Sequence, residues 1–186
     1  NESYGTHETT FLNSDEAILY GLEMEAKISL GRFWEDLDYF KIGSNLTWSS
    51  SELSLSDEEK SAFGANTNSN FKEVRSLEGQ SEWIFNFDFS YQNEDLGLTS
   101  TLIYSYYDER LQAASYNLPN DIWEEGYSNL DFITSYKFGK DDRWEIKASA
   151  KNIIPETRVT RIYKTKTVVS KFETPTTFGI SLNRDF

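Results

Sequence analysis

Apolar and polar positions alternate with a period of two along most of the chain, which is the spacing of strands rather than helices. The clearest run is 82–91, Glu-Trp-Ile-Phe-Asn-Phe-Asp-Phe-Ser-Tyr, in which Trp83, Phe85, Phe87, Phe89 and Tyr91 share one phase. A helix would scatter these rings around its axis, whereas a pleated strand sets them on one side. Ile18, Tyr20, Leu22, Met24, Ala26, Ile28 and Leu30 likewise oppose Gly21, Glu23, Glu25, Lys27 and Ser29, and Phe40, Ile42, Leu46 and Trp48 oppose Lys41, Gly43, Asn45 and Thr47. Leu98, Leu102, Tyr104 and Tyr106 form another row, with Ile103 an inward exception. Further rows are Leu130, Phe132, Tyr136 and Phe138; Trp144, Ile146, Ala148 and Ala150; and Phe178, Ile180 and Leu182. The pattern predicts one all-β domain over 1–186, with strands near 17–30, 39–50, 82–91, 96–107, 129–138, 144–153 and 176–186, and with 1–16 an external loop or strand end.

These strands exceed the roughly five or six residues usual in soluble sheets and match the about nine to eleven that cross a bilayer at a tilt. Charge sorts with phase: Glu23, Glu25, Lys27, Lys41, Glu82, Asp88, Asp131, Lys137, Glu145, Lys147, Lys151 and Asp185 all take polar positions, and only Arg184 does not. A charge facing lipid costs about 2–4 kcal/mol at mid-membrane, so the sorting suits a transmembrane antiparallel up-and-down β-barrel. The connections alternate too. Residues 31–38, 92–95 and 139–143 are short and rich in turn formers, whereas 51–81, 108–128 and 155–175 are long and hold all three prolines. Short periplasmic turns and long external loops are usual in outer-membrane barrels, while a Greek-key sandwich has no reason to alternate them. On this reading Phe33, Trp34, Phe40, Tyr91, Phe138 and Trp144 form a periplasmic-side aromatic belt, and Trp48, Trp83, Tyr104 and Tyr106 an extracellular-side one. Trp83 and Tyr91 stand roughly 26 Å apart along the strand, or about 20 Å along the membrane normal, which suits the apolar band. Glu23, Glu25, Lys27, Lys41, Asp88, Asp131, Lys137, Glu145, Lys147 and Lys151 then face the lumen.

Composition narrows the chemistry. The 186 residues suffice for one ordinary domain and contain no cysteine, which removes disulfides, thiolate metal sites and thiol nucleophiles. One histidine, His7, cannot build a triad or a two-histidine zinc site and reads as a loop residue. No Gly-rich phosphate loop or catalytic constellation is visible, so neither an enzyme nor a cofactor or metal site is expected. With 18 Lys and Arg against 31 Asp and Glu, a net charge of -13 argues against nucleic acid as a partner. An aromatic share of 16% beside a mean hydropathy of -0.61 is odd for a soluble core, yet ordinary for barrel strands that send every second residue to lipid. No apolar run is long enough for a transmembrane helix.

Asp57, Glu58, Glu59, Asp108, Glu109, Asp121, Glu124 and Glu125 offer oxygens of the kind calcium takes, but without a calcium-loop pattern they read as solvated loop acids. Trp123 and Tyr127 are the aromatic candidates for ligand contact in the external loops. The Asn45-Leu-Thr47 sequon lies inside a predicted strand and reads as chance. A start without Met or a signal peptide suggests a processed or partial chain.

Several stretches, taken in order, resemble the C-terminal portion of a TonB-dependent outer-membrane receptor in the style found in Bacteroidetes. They are Asp15-Glu-Ala-Ile-Leu-Tyr-Gly-Leu-Glu-Met-Glu25, Leu77-Glu-Gly-Gln-Ser-Glu-Trp-Ile-Phe-Asn86, Asn129-Leu-Asp-Phe132, Ala150-Lys-Asn-Ile153 and the terminal Phe186. The resemblance implies a barrel of about twenty-two strands around an N-terminal plug, energised through the TonB system to import a scarce ligand, with this chain as its last seven strands. It also implies a barrel-assembly signal in Phe178, Ile180, Leu182 and Phe186, from which Arg184 departs, and allows a surface lipoprotein as partner. Two other readings remain open: a barrel serving as scaffold or subunit of an outer-membrane assembly or secretion complex, and a complete eight-stranded barrel that recruits residues 4–12.

Overall fold

The computed structural model describes residues 14, 16–64, 74–115 and 120–184; His7, the 4–12 strand candidate and Phe186 lie outside them. Along the described chain come β1 (Ala17–Ser29), β2 (Phe40–Ser54), a short helix α1 (Asp57–Gly64), β3 (Val74–Arg75), β4 (Trp83–Asn93), β5 (Leu98–Tyr107), β6 (Arg110–Ala113), β7 (Ile122–Glu124), β8 (Tyr127–Phe138), β9 (Trp144–Lys151), β10 (Thr157–Ile162), β11 (Val168–Glu173) and β12 (Thr177–Arg184). The main sheet has the order β1-β2-β4-β5-β8-β9-β12, an antiparallel meander. Its short connections are two 3₁₀ turns, Leu30–Arg32 and Glu35–Leu37, between β1 and β2, a turn closed by Gly97 at φ 64°, and the bend at Gly139, φ 89°. Both glycines occupy the left-handed region that a side chain disfavours.

Register carries the two phases across the whole sheet. Ile28, Ile42, Phe89, Leu102, Phe132, Ala150 and Phe178 pair in succession from β1 to β12. On the opposite face Lys27, Gly43, Asp88, Ile103 and Asp131 do the same. Among the described residues nothing covers the apolar face: Phe178 and Ile180 are each 77% exposed, and Leu22 57%. Among the described residues the buried apolar side chains are Leu55, Leu111 and Val159, all in the long connections. A water-soluble domain buries its large apolar side chains, whereas this sheet turns a continuous row of them outward.

The strand ends are staggered. The last pairs toward the long connections are Ala17↔Leu53 for β1–β2, Trp48↔Trp83 for β2–β4, Tyr107↔Tyr127 for β5–β8 and Lys151↔Thr177 for β9–β12. Counted from the Ile28–Phe178 row, the short-turn ends recede steadily across the sheet, from Ser29↔Lys41 through Asn93↔Leu98 to Phe138↔Trp144. Such a drift is what strands tilted to a barrel axis produce.

The long connections, expected as external loops, in large part extend this sheet. The β5–β8 frame is kept across a two-residue interruption from Tyr107↔Tyr127 to Arg110↔Glu124, so β6 and β7 continue that hairpin. Thr157↔Glu173 follows Lys151↔Thr177 in the β9–β12 hairpin, and β7 pairs with β10 as β8 pairs with β9. The second sheet, β6-β7-β10-β11, therefore repeats the order β5-β8-β9-β12. Leu53↔Arg75 and the Ser81↔Arg110 bridge carry the extension toward β2. Periodicity did not reveal these strands because they are three to six residues long and, in β10, carry arginines on both phases, Arg158 and Arg161. By contrast β9 stops at Lys151, where Asn152 turns to φ 54°.

Gly43 is buried, and a Cβ there would strike the Asp88 carboxylate across the β2–β4 pair. Gly43→Ala should therefore turn the Asp88 carboxylate out of its place at a cost of about 0.5–1.5 kcal/mol. Adding Asp88→Ala should recover most of that loss in urea titrations of the folded protein in detergent. Strictly additive losses would show that this contact is not the cause.

Candidate functional site

On the polar face charged side chains pair along single strands and reach amide side chains across them. Asn45 Nδ2 donates to Glu23 Oε1 at 3.0 Å, Lys41 Nζ to Gln92 Oε1 at 2.7 Å, and Lys27 Nζ lies 2.6 Å from Glu25 Oε1. Asp131 Oδ1 accepts from Asn129 Nδ2 at 2.9 Å and from the Asn152 N–H at 2.8 Å. Lys137 sits opposite Glu145, Lys147 Nζ is 3.9 Å from Glu145 Oε2, and Lys151 pairs with Thr177. The ten polar residues singled out in the sequence thus share one face. Asn45 of the sequon lies within β2, its amide engaged by Glu23.

Aromatic rings gather at both ends of the apolar face. Phe40 meets Tyr91 at 5.2 Å between centroids and Phe138 meets Trp144 at 6.4 Å near the short turns, where Phe33 and Trp34 also pair at 5.8 Å. At the other end Trp48 lies 6.2 Å from Trp83 and donates Nε1–H to Glu82 Oε1 at 3.1 Å, an apolar ring with a polar handle. Tyr104 packs on Phe85 at 6.3 Å, and the Tyr106 hydroxyl donates to Asp108 Oδ1 at 3.3 Å. Tyr20, which the sequence reading did not assign to a belt, meets Trp48 edge-on at 5.8 Å. Arg184 holds its guanidinium 5.0 Å over the Trp144 ring, so this charge on the apolar phase sits at the aromatic end of the strands, while Glu52, opposite Ile18 on the same phase, lies at the far end of β2 beyond Trp48. Phe178, Ile180 and Leu182 line the exposed apolar side of β12.

The long-connection end corrects the reading of its acids as solvated. Glu59, Asp121 and Glu124 are buried. Glu59 and Ser56 form a capping box at the start of α1, Ser56 N–H to Glu59 Oε2 at 2.9 Å and Glu59 N–H to Ser56 Oγ at 3.2 Å. Arg75 Nη1 donates to Glu59 Oε1 at 2.9 Å, Nη2 to the Ser115 carbonyl at 2.6 Å, and Nε lies 3.2 Å from Asp121 Oδ2. Asp121 in turn accepts the Ser115 N–H at 2.7 Å, and its carbonyl accepts the Tyr163 N–H at 2.8 Å. The buried Arg75 guanidinium and Asp121, through its carboxylate and its backbone carbonyl, thereby tie all three long connections together. Burial raises the Asp121 carboxyl above the usual carboxylate range, against the pull of the Ser115 N–H and Arg75. Nearby, Glu124 accepts from Arg110 Nε at 2.7 Å and Arg158 Nε at 2.9 Å.

Trp123 and Tyr127 do not share a site. Trp123 packs on Tyr163 at 5.8 Å and, with Glu125, Arg161 and Lys166, lines a concavity of about 280 Å³. Tyr127 lines another, of about 360 Å³, with Tyr107, Asn129, Asn152 and Arg158. Its ring is engaged by Tyr107 at 4.9 Å and by the Arg158 guanidinium at 3.4 Å, so it is a packed ring at the start of β8 rather than a loop side chain. Sequence reasoning missed Arg75, Arg158 and Tyr163, whose partners lie far along the chain. Among the described residues no group of three or more acids or histidines is placed to hold a metal ion, and no helix is long and apolar enough to cross a membrane.

An antiparallel meander with one uncovered apolar face, one charged face and staggered ends is a sheet of the membrane-barrel class. A family model described as TonB dependent receptor-like, beta-barrel, matches residues 1–153, and the chain belongs to that family, whose members are outer-membrane transporters. No curated protein and no solved structure matches the chain.

Replacing Arg75 with Met should leave Glu59 and Asp121 buried without their cation, at a cost of about 3–5 kcal/mol. Limited proteolysis should then cut within 55–82 and 108–126 sooner than in the unaltered protein. The raised Asp121 carboxyl means that the folded state binds more protons than the unfolded one between the ordinary and raised values. Its contribution to stability is complete below the ordinary value and is lost as pH rises through the raised one. Local opening of 108–126, read by amide exchange corrected for intrinsic pH dependence, should slow on acidification through that window, and Asp121→Asn should flatten the response.

Proposed function

We propose that the chain is the closing, C-terminal part of a TonB-dependent transporter barrel that imports a scarce ligand across the outer membrane. The observation that carries this is the uncovered apolar face of the seven-stranded meander, with the charges on its other face, in a chain that belongs to this family. Lipid would cover the apolar face, and the two ring clusters would form the interfacial belts. Glu23, Glu25, Lys27, Lys41, Asp88, Asp131, Lys137, Glu145, Lys147 and Lys151 would face the lumen and the plug. In hydrocarbon every backbone polar group needs a partner, so the outer edges of β1 and β12 imply further strands, toward about twenty-two in all. Phe178, Ile180, Leu182 and Phe186 would present the signal to the barrel-assembly machinery. The ordered stretches near Gly21, Trp83 and Ile153 favour the Bacteroidetes style, in which a surface lipoprotein can accompany the barrel. The extended outer end, with the Trp123 and Tyr163 concavity, is where cargo would first meet the protein.

Ligand uptake by the parent protein should vanish when TonB is deleted. Uptake that persists would overturn the transport reading, and a native mass near 21.6 kDa would overturn the partial barrel. The faces are tested separately. Phe87→Arg should cost about 2–4 kcal/mol of folding free energy in lipid, whereas Asn86→Arg on the opposite face should fold nearly as the unaltered protein does. Equal losses would remove the assignment of faces.

A further inference from the structure

The edge of β12 does not stop at Thr177. Only residues 174–176 separate it from β11, and on the partner side 152–156 separate β9 from β10. The gap is clamped: the Thr174 N–H donates to the Glu156 carbonyl at 3.0 Å, Thr174 Oγ1 to the same carbonyl at 2.9 Å, and Thr176 Oγ1 to the Asn152 carbonyl at 2.9 Å. β10–β11 is therefore the outward continuation of the β9–β12 hairpin, and the free side of β11 continues the free side of β12. Elsewhere the extension is already paired. β7 lies between β6 and β10, and the outer side of β6 is engaged by the Ser81 bridge and by the Gly79 N–H donating to the Leu111 carbonyl at 2.8 Å. Among the described residues β11 is left as the outer strand, every residue from Val168 to Glu173 exposed, with Val168, Val169 and Phe172 each about half so.

Lipid does not account for that exposure. Arg158 and Arg161 stand on opposite phases of β10, so the β10–β11 pair cannot turn an uncharged side to hydrocarbon and lies beyond it. In water the β-branched and aromatic residues of β11 suit pairing with another strand, while Lys171 and the bulge near Val169 restrict which strand can add there.

We propose that the barrel strand which pairs with β12 in the parent protein runs on past the bilayer and pairs with β11, so that the barrel seam is closed through the extracellular extension as well as in the membrane. This rests on the reading of the chain as part of a larger barrel. The occupant is a strand of the same polypeptide because β11 and β12 lie on one arm of the same hairpin, parted only by Thr174-Pro175-Thr176, so that the neighbour membrane physics requires for β12 would meet β11 after a single interruption at Pro175.

Residue-resolved amide hydrogen exchange on the intact parent protein in lipid nanodiscs tests this. In an edge strand alternate amides face the bonded neighbour and the others face solvent; in a doubly paired strand all are bonded. All amides of Val168–Glu173 and of Thr177–Arg184 should exchange slowly, on the order of a hundredfold or more below unstructured rates. Slow exchange throughout β12 with only alternate slow amides in β11 would overturn the extended seam and leave the larger barrel standing. Alternate protection in both strands would remove the larger-barrel reading and the extended seam with it.

Discussion

Inside hydrocarbon no water is available to satisfy a backbone N–H or C=O, so each strand of this sheet depends on its lateral neighbours. The meander follows from that constraint. Strands joined by short turns pair with the strand just made, in an order that needs no crossover. The same constraint separates the two faces, since side chains alternate and only one phase can meet lipid without desolvating charge. Phe178 and Ile180, three-quarters exposed, would be liabilities in water and are ordinary on a lipid-facing strand.

Beyond the apolar band the rules change, and so does the residue chemistry. The extension β6-β7-β10-β11 places arginine opposite acid, Arg110 across from Glu124 and Arg158 beside it. Water at this end makes charge affordable at the surface, while the knot around Arg75 shows charge drawn inward and balanced by Glu59 and Asp121. Loss of water around the Asp121 carboxyl outweighs its cationic neighbour and raises it, with a smaller push from Glu59. Three connections that would otherwise move independently are joined at that point, and Tyr163 is joined with them through the Asp121 carbonyl. The geometry of the Trp123 concavity is thus set partly by residues remote from it in sequence.

Much of the wall was legible in the chain. The rings of β4, from Trp83 to Tyr91, declare a strand and its apolar side, and the charges confirm which phase is polar. Arg184 looked anomalous until its contact with Trp144 placed it at the aromatic end. The extension was not legible, since β7 is three residues long and β10 alternates charge with apolar residues on both phases. Nor did the acids of 108–126 announce their burial, because that depends on Arg75, which sits in another connection.

The chain by itself determined the strands, their faces and the rhythm of short and long connections, because a period of two and the cost of charge in lipid act locally on each residue. Only the tertiary structure decided what the long connections do. Continuing the Tyr107↔Tyr127 register to Arg110↔Glu124, pairing β7 with β10, and bringing Arg75 between Glu59 and Asp121 all require residues distant in sequence to meet. Such pairings are settled by register and by the burial of paired charges, which local alternation cannot encode.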